Sequence, residues 1–170
     1  MIRTVVLALM LASTPALADV RVVFLESAPK DRFVITNTSA CPTGALEVTI
    51  DLGASAAGLI FDTTGAGAGV EVFQPFELVT GHAHVTAVSK VSDGDRLAVL
   101  EISDIPGKGE IAFTIDVDDT LPASANGQIM VSGGEIAGSR LQIRSTGGAV
   151  VTAPFDGNGA AVARWEACLS

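Results

Sequence analysis

The chain has 170 residues, of which 48% are apolar and 17% are charged, and its formal net charge is −9. This length and apolar fraction predict one globular domain with a core and exclude a disordered chain. An acidic surface disfavours nucleic acid and anionic membranes as partners, and it favours cations or basic partners.

The first eighteen residues have the pattern of a secretory signal peptide. A short positive start precedes an apolar run from Thr4 to Ala12, and Ala16-Leu17-Ala18 has the small-x-small pattern of a cleavage site. We therefore predict cleavage between Ala18 and Asp19, and a secreted or periplasmic domain over residues 19–170. The apolar run is too short to anchor the chain in a bilayer, and no membrane insertion is expected.

After this leader, apolar and polar residues alternate with a period of two, which is typical of half-buried β-strands. Turn-forming residues separate the alternating segments. Short strands at this spacing predict an all-β fold, a single-domain antiparallel β-sandwich with a jelly-roll-like arrangement. The predicted strands are Val20–Phe24, Phe33–Thr36, Ala45–Leu52, Val70–Phe73, His84–Val88, Arg96–Ile102, Ile111–Val117, Gln128–Val131, Arg140–Arg144, Val150–Phe155 and Ala161–Trp165.

One of these strands runs into three aspartates, in the stretch FTIDVDDTL. Asp116 and Asp118 fall on the outer face of the strand, about 6.6–6.8 Å apart, and Asp119 begins the exit loop. Calcium binds carboxylate and carbonyl oxygens in flexible arrangements of this kind, so we predict a calcium site at Asp116, Asp118 and Asp119. The alternative is a solvated strand end that binds no ion.

Other aspartates have an explanation in turn chemistry. Asp93 and Asp95 flank Gly94 in a predicted hairpin turn, and Asp62 closes a strand. They become candidate ligands only if the fold brings them beside Asp116 and Asp118.

The two cysteines, Cys41 and Cys168, would meet an oxidising environment after export. We predict a disulfide bond between them, and the alternative is a pair of buried free thiols. His82 and His84 could share a face of a strand and bind zinc or copper, but the sequence offers few further ligands. A surface pair beside a turn is the favoured interpretation of the two histidines.

The sequence contains no hydrolase, phosphate-binding or dinucleotide-binding motif, which favours a protein that is not an enzyme. A Ser-His-Asp site converges in space rather than in sequence, so a hydrolase stays an alternative. Asn37-Thr38-Ser39 matches the N-glycosylation pattern, but an Asn-led turn is the favoured interpretation.

Three stretches, VEVFQPFEL (Val70–Leu78), FTIDVDDTL (Phe113–Leu121) and IMVSGGEIAGS (Ile129–Ser139), resemble bacterial aggregation factor core proteins. Those in turn resemble the core region of the sponge aggregation factor. The resemblance covers roughly Phe33 to Phe155 and implies a secreted β-rich module of adhesion assemblies whose activity depends on calcium.

Together, these patterns predict an exported, non-enzymatic adhesion or assembly module that binds calcium. Its expected partners are other copies of itself or a cell-surface protein or polysaccharide. A calcium-dependent carbohydrate-binding module is the first alternative, and a hydrolase of unknown type is the second.

Overall fold

The computed structural model describes residues 17–28, 30–70, 72–121 and 130–166. The strands in these residues form two antiparallel sheets that pack face to face, which confirms the predicted all-β sandwich. The strands are β1 (Leu17–Leu25), β2 (Asp31–Asn37), β3 (Leu46–Asp51), β4 (Ile60–Asp62), β5 (Glu77–Thr80), β6 (Val85–Val88), β7 (Leu97–Ile102), β8 (Glu110–Asp118), β9 (Arg140–Ser145), β10 (Val150–Pro154) and β11 (Ala160–Glu166). A helix of one turn, α1 (Gly133–Ile136), precedes β9.

The first sheet has six strands, and β8 is its most highly connected strand. The order runs β11-β1-β2-β8, and both β4 and β5 pair with β8 as well. β5 pairs with residues 112–114 of β8, and β4 pairs with residues 116–118. The backbone of Gln74 lies between β4 and β5, where its carbonyl accepts from the N–H of Asp116 and its N–H donates to the carbonyl of Asp62. The two short strands therefore lie end to end along one edge of β8.

The second sheet has five strands in the order β10-β9-β3-β7-β6. Its central strand, β3, pairs with β7 on one side and β9 on the other, and alternates buried and half-buried residues along its whole length. The inner faces of the two sheets form one apolar core, in which the rings of Phe24, Phe33, Phe113 and Phe76 follow one another at centroid distances of 5.2, 5.1 and 4.8 Å.

Two predicted strands differ from the structure. The segment Val70–Phe73 is a loop in its described residues, because the N–H of Val70 donates to the carboxylate of Asp118 (2.8 Å) and not to a strand partner. The strand in this region is β5, which begins at Glu77, four residues after the end of the predicted segment at Phe73. In the predicted strand Gln128–Val131, Met130 and Val131 lie outside any strand, and residues 128 and 129 lie outside the described residues.

Most of the predicted signal peptide lies outside the described residues. β1 already begins at Leu17, opposite Glu166 of β11, so the predicted cleavage after Ala18 would shorten this strand by two residues. The cleavage site stays a prediction. Within the described ranges, no helix has the length and hydropathy needed to cross a membrane.

Candidate metal centre

Three aspartates from two neighbouring strands come together on the outer face of the six-stranded sheet. In the register of β4 and β8, Asp62 lies directly opposite Asp116, and Ile60 lies opposite Asp118. Residues directly opposite one another, or two apart on one strand, point to the same side of a sheet. Asp62, Asp116 and Asp118 therefore share a face, while Phe61 and Val117 between them enter the core.

The geometry of the three carboxylates fits one metal ion. One oxygen of each lies within 4.8 Å of the other two. Oxygens bound to the same calcium ion at about 2.4 Å can be at most about 4.8 Å apart. The described residues therefore contain a cluster, Asp62, Asp116 and Asp118, that could hold a metal ion.

The three side chains are buried and lack enough hydrogen-bond donors. Asp62 and Asp116 are 0% exposed and Asp118 is 1% exposed. Both carboxylate oxygens of Asp116, Oδ2 of Asp62 and Oδ1 of Asp118 are buried without a hydrogen-bond partner. Buried polar atoms in native proteins are nearly always satisfied, so four such carboxylate oxygens at one point fit either a bound cation or protonated carboxyl groups.

Asp116 and Asp118 lie on the outer face of the strand, as predicted, but a loop covers them, so they do not form a solvated strand end. The covering loop, residues 63–70, 72 and 73, leaves β4 and folds back over the carboxylates. The N–H of Val70 donates to Oδ2 of Asp118, and a β-carbon at Gly69 would overlap the carboxylate of Asp62 and lie 2.6 Å from Oδ2 of Asp118. Only glycine lets the backbone come this close.

A fourth aspartate fixes the covering loop from the other side. Asp93, in the turn between β6 and β7, accepts from the N–H of Thr63 (3.2 Å) and from the N–H of Ala68 (2.6 Å). These two backbone bonds, with a hydrogen bond from Asp62, lower the pKa of Asp93. Asp93 is therefore the charged member of its pair with Asp62, and it orients the loop and the neighbouring carboxylate together.

Burial raises the pKa of every carboxyl group in the cluster. Desolvation, the hydrogen bond to Asp93 and the charge of Asp118 raise the pKa of Asp62 to about 7. Desolvation and the charges of Asp118, Asp31 and Asp62 raise the pKa of Asp116 to about 8. Desolvation also raises the pKa of Asp118, against a hydrogen bond from the backbone of Val70. Without a cation, the cluster therefore holds protons at neutral pH.

Asp31 of β2 is a further buried acid next to the cluster. Its carboxylate accepts from the N–H groups of Ser27 (3.0 Å) and Val117 (3.0 Å), which joins β2 to the strand that carries the carboxylate cluster. Burial nevertheless raises its pKa to about 7. Because both of its oxygens have a backbone donor, Asp31 supports the site and does not belong to the set of unsatisfied ligands.

The structure brings together two of the three predicted metal ligands. Asp116 and Asp118 are members of the cluster, whereas Asp119 is not, although it is buried beside Asp118 with both oxygens unsatisfied. The third member is Asp62, whose role depended on the fold bringing it beside the other two. Asp95 stays in its turn, where it accepts from the N–H of Ser92 (2.7 Å).

The two histidines lie in a turn and not on a strand. His82 is exposed, and His84 Nδ1 lies 3.0 Å from the carboxylate of Asp104. The nearby hydroxyl of Ser103 donates to the backbone carbonyl of His84 (3.2 Å) and to Asp104 (3.3 Å). The hydroxyl of Ser103 therefore stabilises a turn. In a Ser-His-Asp hydrolase, the serine hydroxyl would instead form a hydrogen bond with the imidazole.

Asn37 is buried and is fully used inside the fold. Its amide nitrogen donates to the carbonyls of Cys41, Ile105 and Pro106, and its oxygen accepts from the backbone and the hydroxyl of Ser39. This geometry confirms an Asn-led turn and leaves no amide group for a glycan. Cys41 lies in this turn, and Cys168 lies outside the described residues, so their disulfide stays a prediction.

No family model, no curated protein and no solved structure matches this chain. The geometry of the buried carboxylates is therefore the basis for a functional assignment.

Proposed function

We propose that this protein is a calcium-binding β-sandwich module that acts in adhesion or assembly outside the cytoplasm, without catalytic activity. The observation that supports it is the buried cluster of Asp62, Asp116 and Asp118, whose oxygens lie within 4.8 Å of one another and lack donors. A divalent ion between them would replace the protons that the cluster holds at neutral pH, and it would let all three carboxylates carry their charge.

The ligand chemistry favours calcium over other cations. The donors are carboxylate oxygens, which suit hard cations, whereas zinc prefers nitrogen and sulfur ligands. Magnesium keeps several water molecules in a regular octahedron, and a site covered by Gly69 and Val70 leaves little room for them. Calcium accepts irregular geometry and backbone carbonyls as additional ligands.

The burial of the cluster favours a structural ion. A calcium-dependent carbohydrate-binding module that coordinates sugar hydroxyls needs an ion at the surface, whereas these carboxylates are at most 1% exposed. An ion here would hold β4, β8 and the covering loop together. Calcium would then determine whether this part of the module keeps the shape that a partner recognises.

The assembly role is supported by the sequence resemblance and by apolar side chains at the surface. Val79 on the short strand β5 is 43% exposed, and Val162 on β11 is 41% exposed. Exposed sheet edges pair with other strands unless they are covered or charged. Self-association through such an edge is the simplest form of assembly that this module could perform.

The test is a calorimetric titration of the chain beginning at Asp19 with calcium, and with magnesium for comparison. We expect one calcium ion to bind, and Asp62→Asn to remove binding while Glu101→Gln, an exposed carboxylate on the other sheet, leaves it unchanged. An equal heat of binding in both variants would contradict the assigned site, and no calcium binding at all would contradict the proposal.

Light scattering over a concentration series tests the assembly role separately. We expect association that increases with concentration and with calcium. A monomer at every concentration, with and without calcium, would remove the assembly role and leave the ion site standing.

A further inference from the structure

The outer face of the five-stranded sheet carries two depressions that follow one another along β3. One has a volume of about 330 Å³ and extends from Ala45, just before β3, to Glu47. The other has a volume of about 310 Å³ and reaches β3 at Thr49 and Asp51. Both lie at the lower end of the range of about 300–1,000 Å³ for small-ligand sites. Together they span about 20 Å along the strand.

The second depression is built from two rows of side chains, each of which crosses three neighbouring strands. In one row, Thr152, Gln142 and Thr49 lie opposite one another on β10, β9 and β3. In the next row, Arg140, Asp51 and Leu97 do the same on β9, β3 and β7. The surface therefore presents hydroxyl, amide, guanidinium and carboxylate groups beside an apolar side chain that is 53% exposed.

Several of these polar groups have no partner among the described residues. The side chains of Arg140, Gln142 and Thr152 make no hydrogen bond or ion pair there, although Asp51 lies directly opposite Arg140. The carboxylate of Asp51 instead accepts from the N–H of Gly53 (2.8 Å), and its second oxygen stays available. In the first depression, the carboxylate of Glu101 faces Glu47, which is already paired with Arg144 (3.2 Å).

We propose that the outer face of the five-stranded sheet binds a neutral polysaccharide along β3, with Arg140, Gln142 and Asp51 as hydrogen-bonding groups in one depression and Glu101 in the other. Sugar rings offer adjacent hydroxyls that donate and accept, together with apolar C–H faces. Unpaired donors and acceptors beside Leu97 and the methyl groups of threonine match that chemistry.

The charges and the backbone both favour this ligand class. The two depressions contain two arginines and three carboxylates, and the whole chain carries −9, so an acidic polysaccharide is repelled. A peptide that binds by adding a strand would need a free strand edge, whereas β3 has a strand partner on each side. This site lies on the sheet opposite the carboxylate cluster, so it does not depend on the proposed ion.

The experiment measures binding of neutral glucan and mannan oligosaccharides of two and six units to the chain beginning at Asp19, by calorimetry, in calcium and in chelator. An alginate hexasaccharide is the acidic control. We expect a neutral hexasaccharide to bind about tenfold more tightly than its disaccharide, because the longer sugar reaches both depressions. Its affinity should be the same in calcium and in chelator.

Two variants locate the site. Arg140→Ala and Gln142→Ala should each weaken hexasaccharide binding about two- to tenfold, as expected for loss of a hydrogen bond, with unchanged thermal unfolding. Arg164→Ala, an exposed arginine on β11 of the other sheet, should bind like wild type. The proposal is overturned if none of the neutral hexasaccharides binds, if alginate binds best, if binding requires calcium, or if the three variants bind equally.

Discussion

Asp116 is the residue on which the proposed cation site depends most. It is fully buried, neither of its oxygens has a donor, and it lies opposite Asp62 and two residues before Asp118. A buried charge without a partner is costly, so the folded chain must either protonate this group or bind a cation beside it.

Substituting Asn for Asp116 should therefore act in opposite directions with and without calcium. In chelator, Asp116→Asn should melt slightly above wild type, because a buried acid and its repulsion are gone. At a calcium concentration 100 times the dissociation constant, wild type should gain about 2.7 kcal/mol, or about 5–10 °C, and the variant should gain much less. Differential scanning calorimetry measures the melting temperature in chelator and in calcium. An equal rise on adding calcium in wild type and in the variant would contradict the role of Asp116.

The raised pKa values predict an unusual pH dependence for the calcium-free protein. Asp31, Asp62 and Asp116 have pKa values of about 7, 7 and 8 in the fold, against 3.8 for an ordinary aspartate. Between the ordinary pKa and these raised pKa values, the folded state binds more protons than the unfolded state. The free energy of unfolding therefore falls as pH rises through this range.

In chelator we therefore expect a higher melting temperature at about pH 5 than at about pH 8.5. Asp116→Asn should reduce this difference, because it removes one of the groups that takes up a proton on folding. A wild-type melting temperature that rises between the two pH values would show that these carboxylates are not protonated in the fold.

Adding one β-carbon at Gly69 tests whether the covering loop helps to form the proposed calcium site. A β-carbon at this position would overlap Asp62 and crowd Asp118, so Gly69→Ala should displace the loop and weaken calcium binding at least tenfold. Gly157→Ala is the matched control, because its β-carbon would have nothing within 4 Å. Calorimetric titration compares the two, and equal affinities would mean that the loop does not help to form the site.

At the scale of elements, the covering loop shows where the sequence pattern is insufficient. VEVF alternates like a strand, but hydrogen bonds from Thr63 and Ala68 to Asp93, and from Val70 to Asp118, hold this part of the chain away from a sheet edge. Those partners lie 25 to 48 residues away in sequence, so periodicity cannot reveal them.

The same limit explains which parts of the site were predictable. The alternation of β8 correctly places Ile115 and Val117 in the core and Asp116 and Asp118 on the other face, since this depends only on neighbours in the strand. The role of Asp62 depends on the pairing of β4 with β8, which is a matter of tertiary register. The burial of the carboxylates depends on the covering loop, and the pattern assigned the last part of this loop, Val70–Phe73, to a strand.

Calcium should stabilise the covering loop more than the rest of the sandwich. The amides of Ala68 and Val70 donate to carboxylates that touch or form the cluster, so ordering those carboxylates should slow exchange of both amide hydrogens. Amides in the pairing of β3 with β9 on the other sheet should change little. Hydrogen exchange followed by NMR with and without calcium measures this, and uniform slowing would indicate global stabilisation instead.

For the whole molecule, the predicted disulfide would be a long-range covalent constraint. Glu166 at the end of β11 pairs with Leu17, and the carbonyl of Asp19 accepts from Thr38, so the end of β11 lies at the same end of the sheet as Cys41. A bridge from Cys41 to Cys168 would close a long loop. In the chain-entropy model, such a bridge raises the free energy of unfolding by about 4–5 kcal/mol.

Thiol labelling of the denatured, non-reduced protein tests this bond. We expect no labelled cysteine before reduction and two after reduction. Reduction should also lower the melting temperature by roughly 10 °C or more, as expected for loss of this much stability in a domain of this size. Two labelled thiols in the non-reduced protein would contradict the bridge.

The pairing of the first and last strands determines when the chain can complete its fold. Val20 of β1 lies opposite Ala163 of β11, and Phe33 of β2 lies opposite Phe113 of β8. At a synthesis rate of about 5–20 residues per second, the partner of β1 leaves the ribosome roughly 7–30 s after it. During that time β1 has no partner on its β11 side, so the six-stranded sheet becomes complete only after almost the whole described chain has been synthesised.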